Sequence, residues 1–586
     1  MRHDRSDSDE DESGDERAID TRLGDAVDGG SVSSRAEDDA EDDGALSLRA
    51  SDDREDSKRP VAWSELPRKD QLFIITMARM SEPLVQTSLQ AYMFYQLKWF
   101  NPSLPDSTIS SQAGVLHASF TAAQFLTAML WGRIADSKRF GRKTVLLIGL
   151  LGTSVSCLGF GFSTTFWQAL LFRTIGGATN GNIGVMRTMI SEIIREKKYQ
   201  PRAFLLLPMT FNIGVIIGPI LGGILSDPAG SYPSLFGNID FFVKFPYAAP
   251  NIVSFFFLLS AAIAVWLGLE ETLDALRDGP PDLGTRLGKR LIVKYRKRFG
   301  TTPEAEGYSA VPASDVELRG GEGPTTTTTT AKKSTKRYTQ RLPFRRIFTR
   351  NVLVTLVAQF FLTFHVGTFN SLWFVFLSTP TSDREVHLPF WFTGGVGLQP
   401  RSVGMAMAIL GFIGINMQLF LYPNISARLG TIRSWRLFLL FFPVAYFLVP
   451  YLSVVPSTTP PPAAKTGPLI WIAICCVLFF QVTGRTFALP SQVILVNNCS
   501  PHPSVLGTVH GLGQSVSSAA RTIGPMVGGV VYGFGLNKGI IGLVWWGLSS
   551  VAICACLTSL VVKEGDGHEI WLEGDEEEEE GTRIRR

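Results

Sequence analysis

The chain has 586 residues, 45% of them hydrophobic, with 40 Phe, 56 Gly and a formal net charge of only +3. Its charge is segregated into the two ends and one central stretch, which excludes a soluble multi-domain protein with charge spread throughout. The six cysteines (Cys157, Cys475, Cys476, Cys499, Cys554, Cys556) fall in or beside apolar runs, so they read as small buried hydrophobes; neither a disulfide framework nor a metal site is expected.

Residues 1–60 form an acidic tail, with runs such as Asp9-Glu10-Asp11-Glu12 and Glu41-Asp42-Asp43, too charged and too poor in aromatics to fold. Such a start predicts no cleavable signal peptide, so the first membrane helix must direct insertion. Six apolar runs of about 20 residues, the length that spans a bilayer as a helix, follow within 61–270. They lie at 71–95, 111–135, 143–162, 167–192, 203–226 and 249–269. The interval 271–350 is basic and holds a Thr325–Thr330 tract, which predicts a mostly disordered linker. Six more runs occupy 351–562, at 351–378, 402–422, 435–455, 468–496, 505–533 and 539–562. An acidic tail, 563–586, closes the chain with Glu576–Glu580. The expected fold is all-α and polytopic, twelve transmembrane helices in two pseudo-symmetric six-helix bundles.

Lys and Arg in the short loops set the orientation. The loops after spans two, four and eight carry Lys138, Arg139, Arg142, Lys143; Arg195, Lys197, Lys198, Arg202; and Arg428, Arg433, Arg436. Loops on the other side show only scattered basic residues, among them Lys98, Lys244 and Lys465. This bias and an even span count put both termini and the linker in the cytosol; plasma membrane and vacuolar membrane both remain open.

One phrase occurs twice. Gly218-Pro219-x-x-Gly222-Gly223 recurs as Gly524-Pro525-x-x-Gly528-Gly529, each in the second-to-last apolar run of its half. Two similar halves of membrane helices are the plan of a carrier that rocks one half against the other. Pro219 cannot donate to the carbonyl four residues back and bends the helix. Glycines at four-residue spacing, with Gly214 extending the series, offer a flat face for close contact.

Other motifs have a mechanical reading too. After span two the chain reads Gly132-x-x-x-Asp136 and then Gly141-Arg142-Lys143. Gly132 permits close helix approach, Gly141 a turn, and Asp136 and Arg142 are spaced to pair across it. Ionisable residues inside spans are few. Arg79 and Glu82, three apart on one face of span one, can pair. Glu82 is the first candidate to load and release a proton. Arg173, Arg485 and Arg521 lie deep in spans four, ten and eleven, where a guanidinium needs a partner or a wet cavity. This excess of positive charge favours an anionic or zwitterionic solute. His117, His365 and His510 are scattered singly and suggest no metal cluster.

At these residues the chain resembles the major facilitator superfamily, whose loop signature is Gly-x-x-x-Asp-x-x-Gly-Arg-Lys; the loop here has one extra residue between Asp136 and Gly141. The resemblance implies that Asp136 and Arg142 latch the two halves on the cytosolic side. It implies a part for Arg173 in proton coupling, although Gly176 stands where the family often has glutamine. The Gly-Pro segment of span five resembles the family's antiporter motif, frequent in drug/proton exchangers. Further phrases, including Arg79-Met-Ser-Glu82-Pro83, Tyr232–Gly237, Leu388–Gly395 and Leu506–Gln514, look like a fungal branch related to the plant zinc-induced facilitator-like carriers.

The expected function is therefore secondary transport of a small organic solute by alternating access, as proton-coupled efflux, in a monomer with lipid, solute and protons as its partners. No cofactor and no nucleic acid is expected. A uniporter or symporter of the same fold, or a membrane sensor that signals without transport, are the competing readings. No nucleophile–base constellation or nucleotide loop points to an enzyme.

Overall fold

A computed structural model describes residues 63–104, 106–196, 199–277, 280, 282–299, 342–398, 400–460 and 463–572. The acidic N-terminal tail, the threonine tract and the terminal glutamate run lie outside these residues.

Helices form at all twelve expected places. In the first half α1 is Lys69–Phe100, α2 Asp106–Ala135, α3 Gly141–Gly161, α5 Gln200–Leu225 and α6 Ala248–Gly268, while α4 comes in two pieces, Phe166–Thr179 and Asn182–Ile193. In the second half α7 is Arg350–Ser378, α10 Pro468–Asn498, α11 Leu506–Lys538 and α12 Gly542–Val561. Between them α8 runs from Pro400 through a π turn at Met417–Leu421 to Leu429, and α9 runs from Thr431 to Ser453. Among the described residues nine helices are long and apolar enough to cross a membrane. The other three are α1, α4 and α11. They carry the ionisable groups Arg79 and Glu82, Arg173 and Arg187, and Arg521, and α4 is also interrupted at Asn180–Gly181.

The duplication seen in sequence is repeated in packing. In the first half α1 lies along α5 and α3 along α6; in the second, α7 lies along α11 and α9 along α12. The glycine phrase is the reason for the α1–α5 and α7–α11 pairs. A Cβ on Gly218 would stand 2.0 Å from Thr87 Oγ1, and one on Gly222 2.3 Å from the Ser88 carbonyl oxygen, so α5 touches the backbone of α1. Likewise a Cβ on Gly524 would stand 2.4 Å from Thr368 Oγ1, and one on Gly528 2.5 Å from Thr368 Cγ2, both on α7. Thr87 Oγ1 donates to the Gly214 carbonyl oxygen at 2.9 Å, tying the two helices at the turn that Pro219 loosens.

Each half also has its own apolar core. The second is aromatic: Phe369 stacks on Trp373 with centroids 5.4 Å apart, and Trp545 meets Phe369 edge-on at 6.0 Å. Such pairs contribute about 0.5–1.5 kcal/mol each beyond their buried area.

One expectation needs correcting. Cys476 and Cys554 lie exposed on the outer surface of α10 and α12 and are not buried, because a helix facing lipid can present any small apolar side chain outward. Cys157 and Cys499 are buried. Within the central basic interval the described residues include a continuous helix, Leu283–Phe299. Its leucines recur every fourth residue, a helical period that the surrounding basic composition hides. The first residues after α12 are also docked: the Ile570 amide donates to the Pro501 carbonyl at 2.9 Å, and Ile570 and Leu572 pack beside Val505.

Candidate functional site

Two polar clusters join the halves, one at the end of the bundle that carries Asp136 and one near the middle.

At the end, the loop after α2 turns at Gly141, whose φ of +75° suits glycine, and starts α3. The Glu271 carboxylate accepts from the Arg142 and Lys143 amides, both at 3.0 Å, and so caps that helix start. Arg142 is fully buried and pairs with Asp136 on one side and Glu192 on the other, the latter at 3.0 Å. Asp136 does more than pair. It accepts from the Gly507 amide at 3.0 Å and the Thr508 amide at 2.6 Å, and from the Thr508 hydroxyl. Those groups are the first turn of α11, whose unsatisfied amides attract an anion. A carboxylate from the first half therefore caps a helix of the second. Alongside it α2 and α11 touch backbone to backbone, for a Cβ on Gly132 would stand 2.4 Å from the Gly507 carbonyl oxygen.

The second half keeps a related device without the acid. Arg436, in the first turns of α9, donates to the carbonyls of Ser559, Leu560 and Val562 at the end of α12. In the first half Lys143 does the same at the end of α6, donating to the Trp266 carbonyl at 2.8 Å.

Near the middle, Arg79 and Glu82 are buried on α1 and pair at 3.1 Å. The break in α4 delivers Asn180, whose amide donates to the other Glu82 oxygen at 2.9 Å. The Asn180 carbonyl accepts from Gln124 of α2 at 3.0 Å. Gln124 Oε1 accepts from Arg521 at 3.1 Å and Ser518 at 2.7 Å, both on α11. A continuous chain of hydrogen bonds thus leads from Glu82 to Arg521, across the boundary between halves. Nearby, the Thr121 and Thr522 hydroxyls meet at 2.6 Å.

Arg485 approaches this chain from another side. It donates to Asn212 of α5 at 3.2 Å and lies 5.9 Å from the centre of the Phe211 ring, while Arg79 lies 6.0 Å from the same ring. Asn212 in turn donates to Gln418 at 3.2 Å, in the π turn of α8. Arg173 stands apart. It donates to Gln86 at 3.1 Å and to the Leu116 carbonyl at 3.4 Å, and its guanidinium covers the Phe120 ring at 4.6 Å. His365 bonds the Tyr446 hydroxyl at 2.9 Å within the aromatic core.

Arg79, Glu82, Arg485 and Arg521 are thus brought together and Arg173 is not. Sequence reasoning passed over Arg187, on the second piece of α4, which feels Arg79, Arg521 and Glu82 electrostatically. It also passed over Asn180, Gln124 and Thr508, neutral residues that only their partners make conspicuous.

In the Gly-Gly pairs the two glycines differ. Nothing lies within 4 Å of a Cβ built on Gly223 or Gly529. Gly223→Ala and Gly529→Ala are expected to leave the melting temperature unchanged or raise it, alanine being about 1 kcal/mol the better helix former. Gly222→Ala and Gly528→Ala should lower it by several degrees, the clash being about 1–3 kcal/mol. Thermal unfolding of the four variants in one detergent checks this; equal shifts within each pair would refute the packing argument.

Among the described residues, twelve helices in two like halves, with buried polar chains crossing between them, are the plan of a polytopic membrane carrier. More particularly, the chain belongs to the Major Facilitator Superfamily, whose family model matches residues 72–525. It is 34% identical over 528 residues to the Major facilitator superfamily multidrug transporter mfsB of Aspergillus fumigatus, covering 86% of this chain and 85% of that one. It is 24% identical over 463 residues to the Protein ZINC INDUCED FACILITATOR 1 of Arabidopsis thaliana, covering 79% and 84%. Among solved structures, that of the human organic anion transporter MFSD10 (TETRAN) superposes with a TM-score of 0.56 at 17% identity, over 84% of this chain and 99% of that one, a likeness of fold.

Proposed function

We propose that this transporter exports a small organic solute, anionic or zwitterionic, in exchange for protons by alternating access. Both termini and the linker face the cytosol in this reading, with Asp136 and Arg142 closing the cytosolic end. The carrying observation is the placement of Glu82. It is buried in the middle of α1, held by Arg79 and Asn180, and linked through Gln124 to Arg521 of the other half. Ionised, Glu82 can receive the ammonium of a zwitterionic solute while Arg79, Arg187 and Arg521 face its carboxylate; protonated, it cannot, so proton and solute compete for one carboxylate, as exchange requires. Similarity to a fungal multidrug transporter supports efflux over uptake.

The Arg79–Glu82 pair also favours a second reading, proton-free uniport, since an ion pair at 3.1 Å needs no proton to persist. Liposomes with an imposed pH gradient, screened against anions, chelators and cationic drugs, separate the two. The wild type should concentrate its solute only while the gradient lasts. Glu82→Gln should retain solute counterflow but lose gradient-driven accumulation. If the glutamine variant still accumulates solute against the gradient, Glu82 is not the proton site.

A further inference from the structure

After α6 the chain turns into the helix Leu283–Phe299. Its start is fixed twice. Asp282 accepts from the Thr285 amide at 3.1 Å, the bond of a helix N-cap, and from Lys143 Nζ at 2.8 Å. Partial burial opposes ionisation of Asp282, but the hydrogen bonds from Lys143 and Thr285 hold its carboxyl below the usual carboxylate range. Gly284 and Gly288 then press the helix flat on the end of α6. A Cβ on them would stand 2.3 Å from the Trp266 carbonyl oxygen and 2.1 Å from that of Leu267. Lys289 adds an ion pair to Glu270 at 3.3 Å.

With the glycines inward, no other part of the described residues covers the leucines. Leu283, Leu287 and Leu291, spaced by four, are 78%, 41% and 47% exposed and form one stripe. Arg286, Arg290, Lys294 and Arg298, also spaced by four and all exposed, form a basic row beside it. The helix lies where a membrane-crossing helix ends, so stripe and row sit at the depth where acyl chains give way to headgroups. An apolar stripe flanked by a basic row at that depth is how an interfacial helix is built.

We infer that Leu283–Phe299 is a membrane-surface helix that binds anionic phospholipid, its leucines in the acyl boundary and its basic row on the headgroup charges. The choice of anionic over neutral lipid follows from charge: each Lys or Arg near an anionic surface strengthens binding about fivefold, and four are aligned here. The inference requires only that α6 crosses a bilayer; it does not depend on the direction or the coupling of transport.

Hydrogen–deuterium exchange on the full-length transporter in nanodiscs tests it, because both leaflets are then accessible and no solute is needed. With about one third phosphatidylserine in phosphatidylcholine, amides of 287–294 should exchange at least about fivefold more slowly than in phosphatidylcholine alone. Arg290→Glu/Lys294→Glu, at two exposed positions away from the α6 contact, should abolish most of that difference while leaving exchange in α3 and α6 unchanged. Equal exchange of the wild type in the two lipids would overturn the inference. So would an equal slowing by inorganic phosphate in neutral discs, which would mark a free-anion site, or a charge-reversed helix that keeps the lipid effect. Solute flux enters none of these readings, so failure here leaves the proton-exchange proposal untouched.

Discussion

Arg142→Met is expected to destabilise the folded transporter by about 3–5 kcal/mol, the cost of stranding a buried charge whose partner is removed. The arginine is fully buried between Asp136 and Glu192. Methionine fills much of the space but leaves two carboxylates facing each other away from water. Asp136 still has the Gly507 and Thr508 amides, so Glu192 loses more, keeping only the Thr272 hydroxyl among these partners. The measurement is thermal unfolding in detergent, with a fall of several degrees or loss of monodisperse protein as the expected result. Asp136→Asn separates stability from gating. Its new NH2 must face either Arg142 and the Gly507 amide or the two Thr508 donors, so one set of contacts is lost whichever way it turns. About 1–3 kcal/mol is then removed from a contact between halves, and transport rate should change more than melting temperature. If Arg142→Met melts with the wild type, water reaches this cluster and the buried-pair argument fails.

Much of this architecture was legible in the chain because bilayer physics leaves few choices. Twelve apolar runs, their loop charges and the repeated Gly-Pro phrase led to two six-helix bundles, and the family match and helical structure agree. Local pairs were legible as well: Arg79–Glu82 and Asp136–Arg142 lie within six residues of each other and were expected to meet, as they do. Partners distant in sequence were not legible. That Asp136 caps α11 could be read from no periodicity, since its acceptor role is filled by backbone amides at Gly507 and Thr508, which carry no signature. Asn180 looked like an ordinary polar residue in an apolar run. Its importance comes from a helix break made where Gly181 presses against Trp131, with 2.4 Å left for any Cβ. The polar character of α1, α4 and α11 was visible beforehand, but the network between them needed three dimensions. The helix Leu283–Phe299 was obscured for a different reason: basic residues dominate its composition, and only the spacing of its leucines betrays a structured face.

Gly132→Val is expected to hold the transporter open at the Asp136 end without unfolding it. Both neighbours of a Cβ at this position are backbone, the Gly507 carbonyl oxygen at 2.4 Å and the Gly511 Cα at 3.0 Å, and neither can rotate away. The only relief is separation of α2 from α11. That is the motion a rocking carrier must make here in any case, so the substitution penalises one member of an equilibrium that already exists. Overpacking of this kind costs about 1–3 kcal/mol, which shifts a two-state population about 5- to 150-fold. Ser515 makes a convenient reporter, being buried between the halves with its hydroxyl accepting from the Met129 amide at 3.0 Å. Ser515→Cys, nearly isosteric, should react with a polar maleimide at least about fivefold faster once Gly132→Val is added. Solute turnover should fall in parallel, because a carrier held at one end cannot complete its cycle. Melting temperature should stay near that of the parent, since the contacts inside each half are untouched. A shielded cysteine with unimpaired turnover would mean that α2 and α11 do not part during transport, and that the Asp136 cluster is a fixed brace and no gate.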